Sequence, residues 1–198
     1  MSQTPVPSRG ASHYARGSAI NMARSMVVIV AITLVVFLVV GRTSSVTPAD
    51  VDVASAAQAN AAQAKQPFAY AADLPEGWTG TSARYVRSKD DVLMWNAGYV
   101  TPDGQYASVQ QAVDPPQSWI DTQTNNGATA GTWTGEDGTE WLRRDREGKV
   151  QRTLVDDPKG EGQLTTLVTG TGSWEQLGEL ADHLVEADPA GPAPPTSS

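Results

Sequence analysis

Few groups in this 198-residue chain can do chemistry near neutral pH, and their spacing sets the first expectations. The chain has two His and no Cys. That excludes disulfides, thiolate zinc sites, iron–sulfur clusters and a Cys nucleophile. His183 is the one histidine outside the N-terminal 24 residues. A catalytic base needs a nucleophile and an orienting partner within hydrogen-bond reach. No G-x-S-x-G elbow accompanies it, so it is expected on the solvated side of a helix. Gly170-Thr171-Gly172-Ser173 has the small residues of an anion-binding loop but not its Lys, and reads as a strand-to-helix turn. Asp90-Asp91, Glu136-Asp137 and Asp156-Asp157 are adjacent acids in expected turns. Neighbouring acids on a strand point opposite ways and none has D-x-D-x-D-G spacing, so they read as solvated loop charge. Arg143-Arg144-Asp145-Arg146 alternates faces and reads as hairpin surface charge rather than a contact for an anionic polymer or headgroup. The expectation is no catalytic residue, no cofactor and no metal.

If chemistry is sparse, binding falls to large side chains. All six Trp lie between residues 78 and 174. Trp95, Tyr99, Trp133 and Trp141 are the candidate ligand or partner residues. They line a cleft if the sheet and helices leave one open, and fill the core if they do not.

The elements that must position them can be read from turns and periodicity. Pro75-Glu76-Gly77, Pro102-Asp103-Gly104, Asp137-Gly138 and Glu147-Gly148 recur at short intervals, which implies antiparallel strands. Strands are expected at 68–71, 81–88, 92–101, 105–113, 132–135, 139–145, 149–156 and 163–170, with 92–101 and 105–113 joined as a hairpin. A first helix is expected from Asp114 as N-cap with Pro115 at its first position, through Trp119 and Ile120, to Gly127. A second opens at Ser173, whose S-x-x-Q pattern with Gln176 is a capping box. Its apolar stripe runs Trp174, Leu177, Leu180, Ala181, Leu184 and Val185. Strands in consecutive runs favour an α+β fold, an antiparallel β-sheet with two helices packed on one face.

Ahead of this lies a different regime. Before residue 50 there are four Arg and no acid; from Asp50 onward 22 acids face 10 bases. Twelve of the 15 residues in Met26–Val40 are Val, Ile, Leu or Phe. Each favours insertion by about 0.3–0.6 kcal/mol. With Ser25 and Gly41 the run gives roughly 25 Å of helix, the short end for a bilayer core of about 30 Å. The expectation is a single N-terminal transmembrane helix at 25–41, retained as a signal anchor. Three Arg precede it and one follows closely, so its N-terminus faces the cytoplasm. The organisation expected is a disordered cytoplasmic tail at 1–24, the anchor, an Ala/Gln/Ser-rich spacer at 42–66 whose Ala and Gln can form a loose helix after Pro48, an extracytoplasmic α+β domain at 67–186 and a Pro-rich disordered tail at 187–198. A net charge of −8 and a pI near 4.6 disfavour nucleic acid as a partner.

The outer domain resembles the actinobacterial domain-of-unknown-function family numbered 4245. The residues that carry the resemblance are Leu74-Pro75-Glu76-Gly77-Trp78 with Thr81-Ser82-Ala83-Arg84, then Trp95-Asn96-Ala97-Gly98-Tyr99 with Thr101-Pro102-Asp103-Gly104-Gln105-Tyr106. Thr132-Trp133 and Gly170 ahead of the last helix add to it. The resemblance implies a membrane-anchored envelope protein of actinobacteria and brings no catalytic residue with it. The functional expectation is a non-catalytic, membrane-anchored extracytoplasmic module that binds an envelope protein or wall component. A small-ligand or lipid-binding domain with an aromatic-lined cleft is the alternative, and a cell-envelope hydrolase ranks third.

Overall fold

The computed structural model describes residues 12–40 and 50–190. The chain divides into two units, Met1–Thr47 and Pro48–Ser198.

In the first unit, α1 runs Ser12–Val40. It therefore takes in residues 12–24, expected to be unstructured. No Pro interrupts the chain after Pro7 until Pro48, so a helix nucleated in the apolar run propagates backwards one bond per residue. Side chains from Met22 to Val36 are all exposed. Among the described residues no helix is long and apolar enough to cross a membrane. The span expected at 25–41 extends past Val36, the last side chain described there, and the first residues of the expected spacer and most of the Pro-rich tail lie outside the described residues.

The second unit is α+β and opens with a correction. Residues 53–64, expected as part of a spacer, form helix α2 (Val53–Ala64) packed into the core. Asp52 caps it, its carboxylate accepting from the Ser55 N–H at 2.9 Å. Val53, Ala57 and Ala61, spaced four apart, are buried on one face. Composition suggested a spacer because Ala carries little apolar surface. Small side chains instead let a helix approach a sheet closely, and at Gly80 there is room only for hydrogen: a Cβ would lie 2.7 Å from Val51 O and Val53 Cγ2.

The strands are β1 (Phe68–Ala71), β2 (Thr79–Arg87), β3 (Leu93–Val100), β4 (Tyr106–Val113), β5 (Ala128–Thr134), β6 (Glu140–Asp145), β7 (Arg152–Asp156), β8 (Leu164–Gly170) and β9 (Leu184–Ala187). Seven form one antiparallel sheet in the order β2-β3-β4-β8-β7-β6-β5. The β3–β4 hairpin forms as expected, with Gly104 at φ +74 and its N–H donating to Thr101 O at 2.8 Å. At the far edge β5 carries a register break between Thr129 and Thr132, where Gly131 sits at φ +97.

β9 replaces the end of the second expected helix. Helix α4 stops at Asp182, and Leu184 and Val185 instead pair with Ala71 and Tyr70 of β1 in a separate two-stranded sheet. The capping box of Ser173 and Gln176 is present. Helix α3 is shorter than expected, Gln117–Gln123, with Pro116 rather than Asp114 at its N-cap. Asp114 has φ +42, and its carboxylate accepts the Gly162 N–H at 2.7 Å, tying down the β7–β8 loop. Asn125 and Asn126, both left-handed, end the helix before Gly127.

The helices do not share one face. Leu177 and Leu180 of α4 pack with Leu154 and Val168, as do Ala57 and Ala61 of α2. Trp119 and Ile120 of α3 pack with Val155 and Leu167. Residues adjacent on a strand point opposite ways, so α2, α4 and the β1–β9 pair cover the front of the sheet and α3 the back. An apolar stripe demands a sheet to lie on but carries no information about which side.

Candidate functional site

The four aromatic candidates come first. Trp95 is fully buried, stacked on Phe68 with ring centroids 5.5 Å apart, and its Nε1–H donates to Ala69 O at 2.8 Å. Tyr99 is 2% exposed, and its hydroxyl oxygen accepts the Ala71 N–H at 2.9 Å. Burial pushes that phenol up to about 12, with the Ala71 N–H acting weakly the other way. Both side chains therefore clamp β1 to the main sheet. Gln111 completes the clamp: its Oε1 accepts the Ala69 N–H at 2.6 Å and its Nε2 donates to Thr166 Oγ1 at 2.9 Å. Trp141 is 5% exposed, and Trp133 faces it across the β5–β6 ladder. Trp133 is half-buried against Gly178 of α4, where a Cβ would come within 2.2 Å of its Cζ2. These rings join the front layer to the sheet, and of the four Tyr99 borders a surface cleft, beside Val51, Tyr70 and Gly80.

The titratable candidates are likewise engaged locally. His183 is the C-cap of α4, with Nδ1 3.1 Å from Ala72 O. Asp137 accepts from both the N–H and hydroxyl of Thr139, which hold its carboxyl below the ordinary range. Asp182 accepts the Glu136 N–H at 2.9 Å. Asp91 pairs with Arg87 at 3.3 Å, and Asp157 with Lys159. Arg143 lies 4.0 Å above the Trp174 ring, while Arg144, on the other face, meets Asp121 at 3.1 Å. Among the described residues no three acids or His converge to hold a metal ion. The Gly170-to-Ser173 segment is a turn built for close approach: a Cβ on Gly170 would come within 2.2 Å of Tyr106 O.

Two cavities lie on the back of the sheet. The larger, about 560 Å³, sits beside α3 at β6 and β7 and is lined by Glu140, Arg144, Asp156, Asp157 and Lys159 among others. Burial, then the neighbouring Asp157 and Asp137, raise the Asp156 carboxyl above its ordinary value. Of the charges that line this cavity, Arg144 is paired with Asp121 and Lys159 with Asp157.

The smaller, about 240 Å³, is different in kind. Tyr106, Gln110, Gln123, Gln151 and Thr169 line it, with Thr122 and Thr171 at its margin, and none carries a charge. Its setting follows from strand alternation. On β4, Ala107 and Val109 face the front core, so Ser108 and Gln110 face the back. α3 covers Ala112, Leu167 and Val155, and its last residues, Thr122 and Gln123, border the groove. The sheet beside it is hydroxyl-rich but buried, with Ser108 at 0%, Thr153 at 1% and Thr169 at 4% exposure, and of these Thr169 lines the groove.

Buried hydroxyls are costly unless bonded, and these are bonded. Thr153 and Thr169 share a hydrogen bond of 2.8 Å, and Ser108 donates to Thr169 O at 3.4 Å. Gln151 Nε2 donates to Gln123 O at 2.7 Å and to Thr169 Oγ1 at 3.0 Å. Both its N–H donors are used, leaving the oxygen as its remaining polar atom. Gln110 is the exception, because its Oε1 is buried with no partner. Tyr106 is 43% exposed at the margin, its ring close to where a Cβ on Gly98 would stand. Apart from Gly170 and Thr171 of the strand-to-helix turn, none of the groove's residues was among the sequence candidates. The alternation of β4 held the signal, since it places Ser108 and Gln110 on a face where a half-covered sheet would carry apolar residues.

A family model described as protein of unknown function (DUF4245) matches residues 15–184. The chain belongs to that family. The DUF4245 match spans every strand of the main sheet, all of β1 and the helices that cover both faces. No curated protein and no solved structure matches the chain.

Proposed function

We propose that this DUF4245 protein is a non-catalytic binding module of the cell envelope, held by residues 25–41 in the membrane with its N-terminus in the cytoplasm and the unit from Pro48 outside. The observation that carries the binding reading is the uncharged groove beside α3, with an unpaired acceptor at Gln110 Oε1. A buried side-chain oxygen left unbonded costs stability, and a turn of the Gln110 amide toward a ligand would relieve that cost. The membrane reading is supported by the apolar run 26–40, the Arg at its flanks and the acid-free first 49 residues. An envelope location is what the resemblance implies for actinobacteria.

The test is fractionation followed by protease treatment of spheroplasts. The full chain is expected in the membrane pellet, and added protease is expected to remove the unit from Pro48 while sparing the N-terminus. Recovery of full-size chain in the cytosol, or a pellet that protease does not trim, overturns the reading.

A further inference from the structure

We infer that the groove between α3 and the back of the sheet binds a neutral saccharide, one sugar ring at a time. This rests on the binding reading above and specifies the chemical class of its ligand.

The lining selects against charge. Asp, Glu, Lys and Arg are all missing from it, although the neighbouring cavity beside α3 holds several. A carboxylate, phosphate or ammonium entering the groove would lose water and find no counter-charge, which is unfavourable. An apolar ligand fares no better, because the lining carries the amides of Gln110, Gln123 and Gln151 and the hydroxyls of Thr122, Thr169 and Thr171. What suits such a lining is a molecule with many uncharged hydroxyls, each able to donate and accept.

The available bonding capacity points the same way. Gln151 has its donors fixed and offers an oxygen, which suits a ligand hydroxyl as donor. The terminal torsion of Gln is broad, so the Gln110 amide turns toward the groove at little cost and gains a partner for its idle oxygen. Thr122 donates its hydroxyl hydrogen to Ser118 O, and Thr171 donates to Gln105 Oε1 while accepting the Tyr106 N–H at 3.1 Å, which leaves two lone pairs on Thr122 and one on Thr171 for incoming donors. The lining is therefore rich in acceptors held in place by the fold. The exposed Tyr106 ring supplies a flat apolar surface at the margin, suited to the C–H face of a sugar ring.

Size sets the rest. A volume of about 240 Å³ equals roughly eight waters at ~30 Å³ each, and lies below the ~300–1,000 Å³ of sites that enclose a whole drug-sized ligand. A chain terminus or a single residue enters while the remainder of a polymer stays outside.

The experiment is a calorimetric titration of the purified full-length chain with glucose, galactose, mannose and N-acetylglucosamine, and with their β-linked disaccharides. Binding of at least one is expected, unchanged by added salt because no charge is involved. Gln110→Leu and Tyr106→Ala are each expected to weaken it about tenfold, the equivalent of one good contact. Tyr106 is exposed, so its replacement leaves folding intact and guards against a Gln110 variant that loses structure. Absence of heat with every sugar, undiminished binding in both variants, or binding of a neutral tripeptide in place of the sugars overturns the inference. These outcomes are independent of membrane topology. A failed titration strikes the ligand class, and a failed protease experiment strikes the location.

Discussion

Tyr99 shows how a residue that looks like part of a binding surface can be spent on the fold. Its hydroxyl accepts the backbone N–H of Ala71 in the interior, so ionising it requires a buried charge. The folded-state value of about 12 lies above the ordinary 10. The folded protein thus holds the phenolic proton more tightly than the unfolded chain, and this contribution to stability is complete below pH 10. Stability is lost as pH rises from 10 toward 12, at up to roughly 1.4 kcal/mol per pH unit. Tyr99→Phe leaves the Ala71 N–H unpaired and is expected to cost about 1–3 kcal/mol at neutral pH. Urea unfolding at pH 7 and across pH 9.5–11.5 checks both statements: the variant should start lower and decline less steeply. Equal alkaline slopes for the two proteins would remove Tyr99 as the cause. Trp95 behaves alike, its indole N–H bonded to Ala69 O. The sequence counted these rings correctly as large and apolar. It could not reveal that their polar ends face a short strand brought from elsewhere in the chain.

At the scale of elements, helix α4 is held by an unusually close meeting. Gly178 lies against the Trp133 ring, where a Cβ would approach to 2.2 Å. The Trp133 ring is itself set by the β5–β6 ladder. Gly178→Ala relieves the helix-propensity cost of Gly, about 1 kcal/mol, but forces ring or helix aside, at about 1–3 kcal/mol. The second effect is larger, so the variant is expected to be net destabilised by about 1 kcal/mol and to show altered Trp fluorescence. A thermal midpoint at or above that of the parent would mean that α4 is free to shift. Element legibility divides along the same line of local against distant causes. Seven of the expected strands overlap the seven of the main sheet, and the β3–β4 hairpin and the Ser173 capping box formed as read, because turns and caps are written in adjacent residues. β9 was read as helix because Leu184 and Val185 continue the spacing of Leu177 and Leu180. Only its partner β1, more than a hundred residues earlier, makes it a strand. The face taken by α3 depends on where β5 must lie, which no local pattern states.

For the whole molecule, α2 changes where the folded unit begins. Ala57 and Ala61 have no exposed surface and pack with Trp95, Leu177 and Leu180 in one core. Gln58 Nε2 also reaches Asp188 O at 2.6 Å, so the helix ties to the last described turn. A chain starting at residue 48 is expected to unfold cooperatively at the midpoint of the full-length protein. One starting at residue 67 should lose several kcal/mol, since three buried side chains go with the helix and Phe68 and its neighbours are laid bare. Circular dichroism melts of the two fragments decide it, and equal midpoints would restore the spacer reading. Composition allowed a helix after Pro48 but hid its packing, because Ala-rich sequence describes a loose spacer helix and a tightly seated one equally well. The candidate groove was hidden more deeply, since its lining comes from β4, α3, β8 and the segments just before β7 and after β8.

The sheet ends at β5, and that last strand, from Ala128 to Thr134, bears no charge and no proline along seven residues. Straight, it would be an open invitation for a stranger's backbone to zip on and seed stacked assemblies. The bend at Gly131 breaks the rhythm of donors and acceptors there. One residue without a side chain thereby takes away the straight, evenly spaced edge on which such zipping depends.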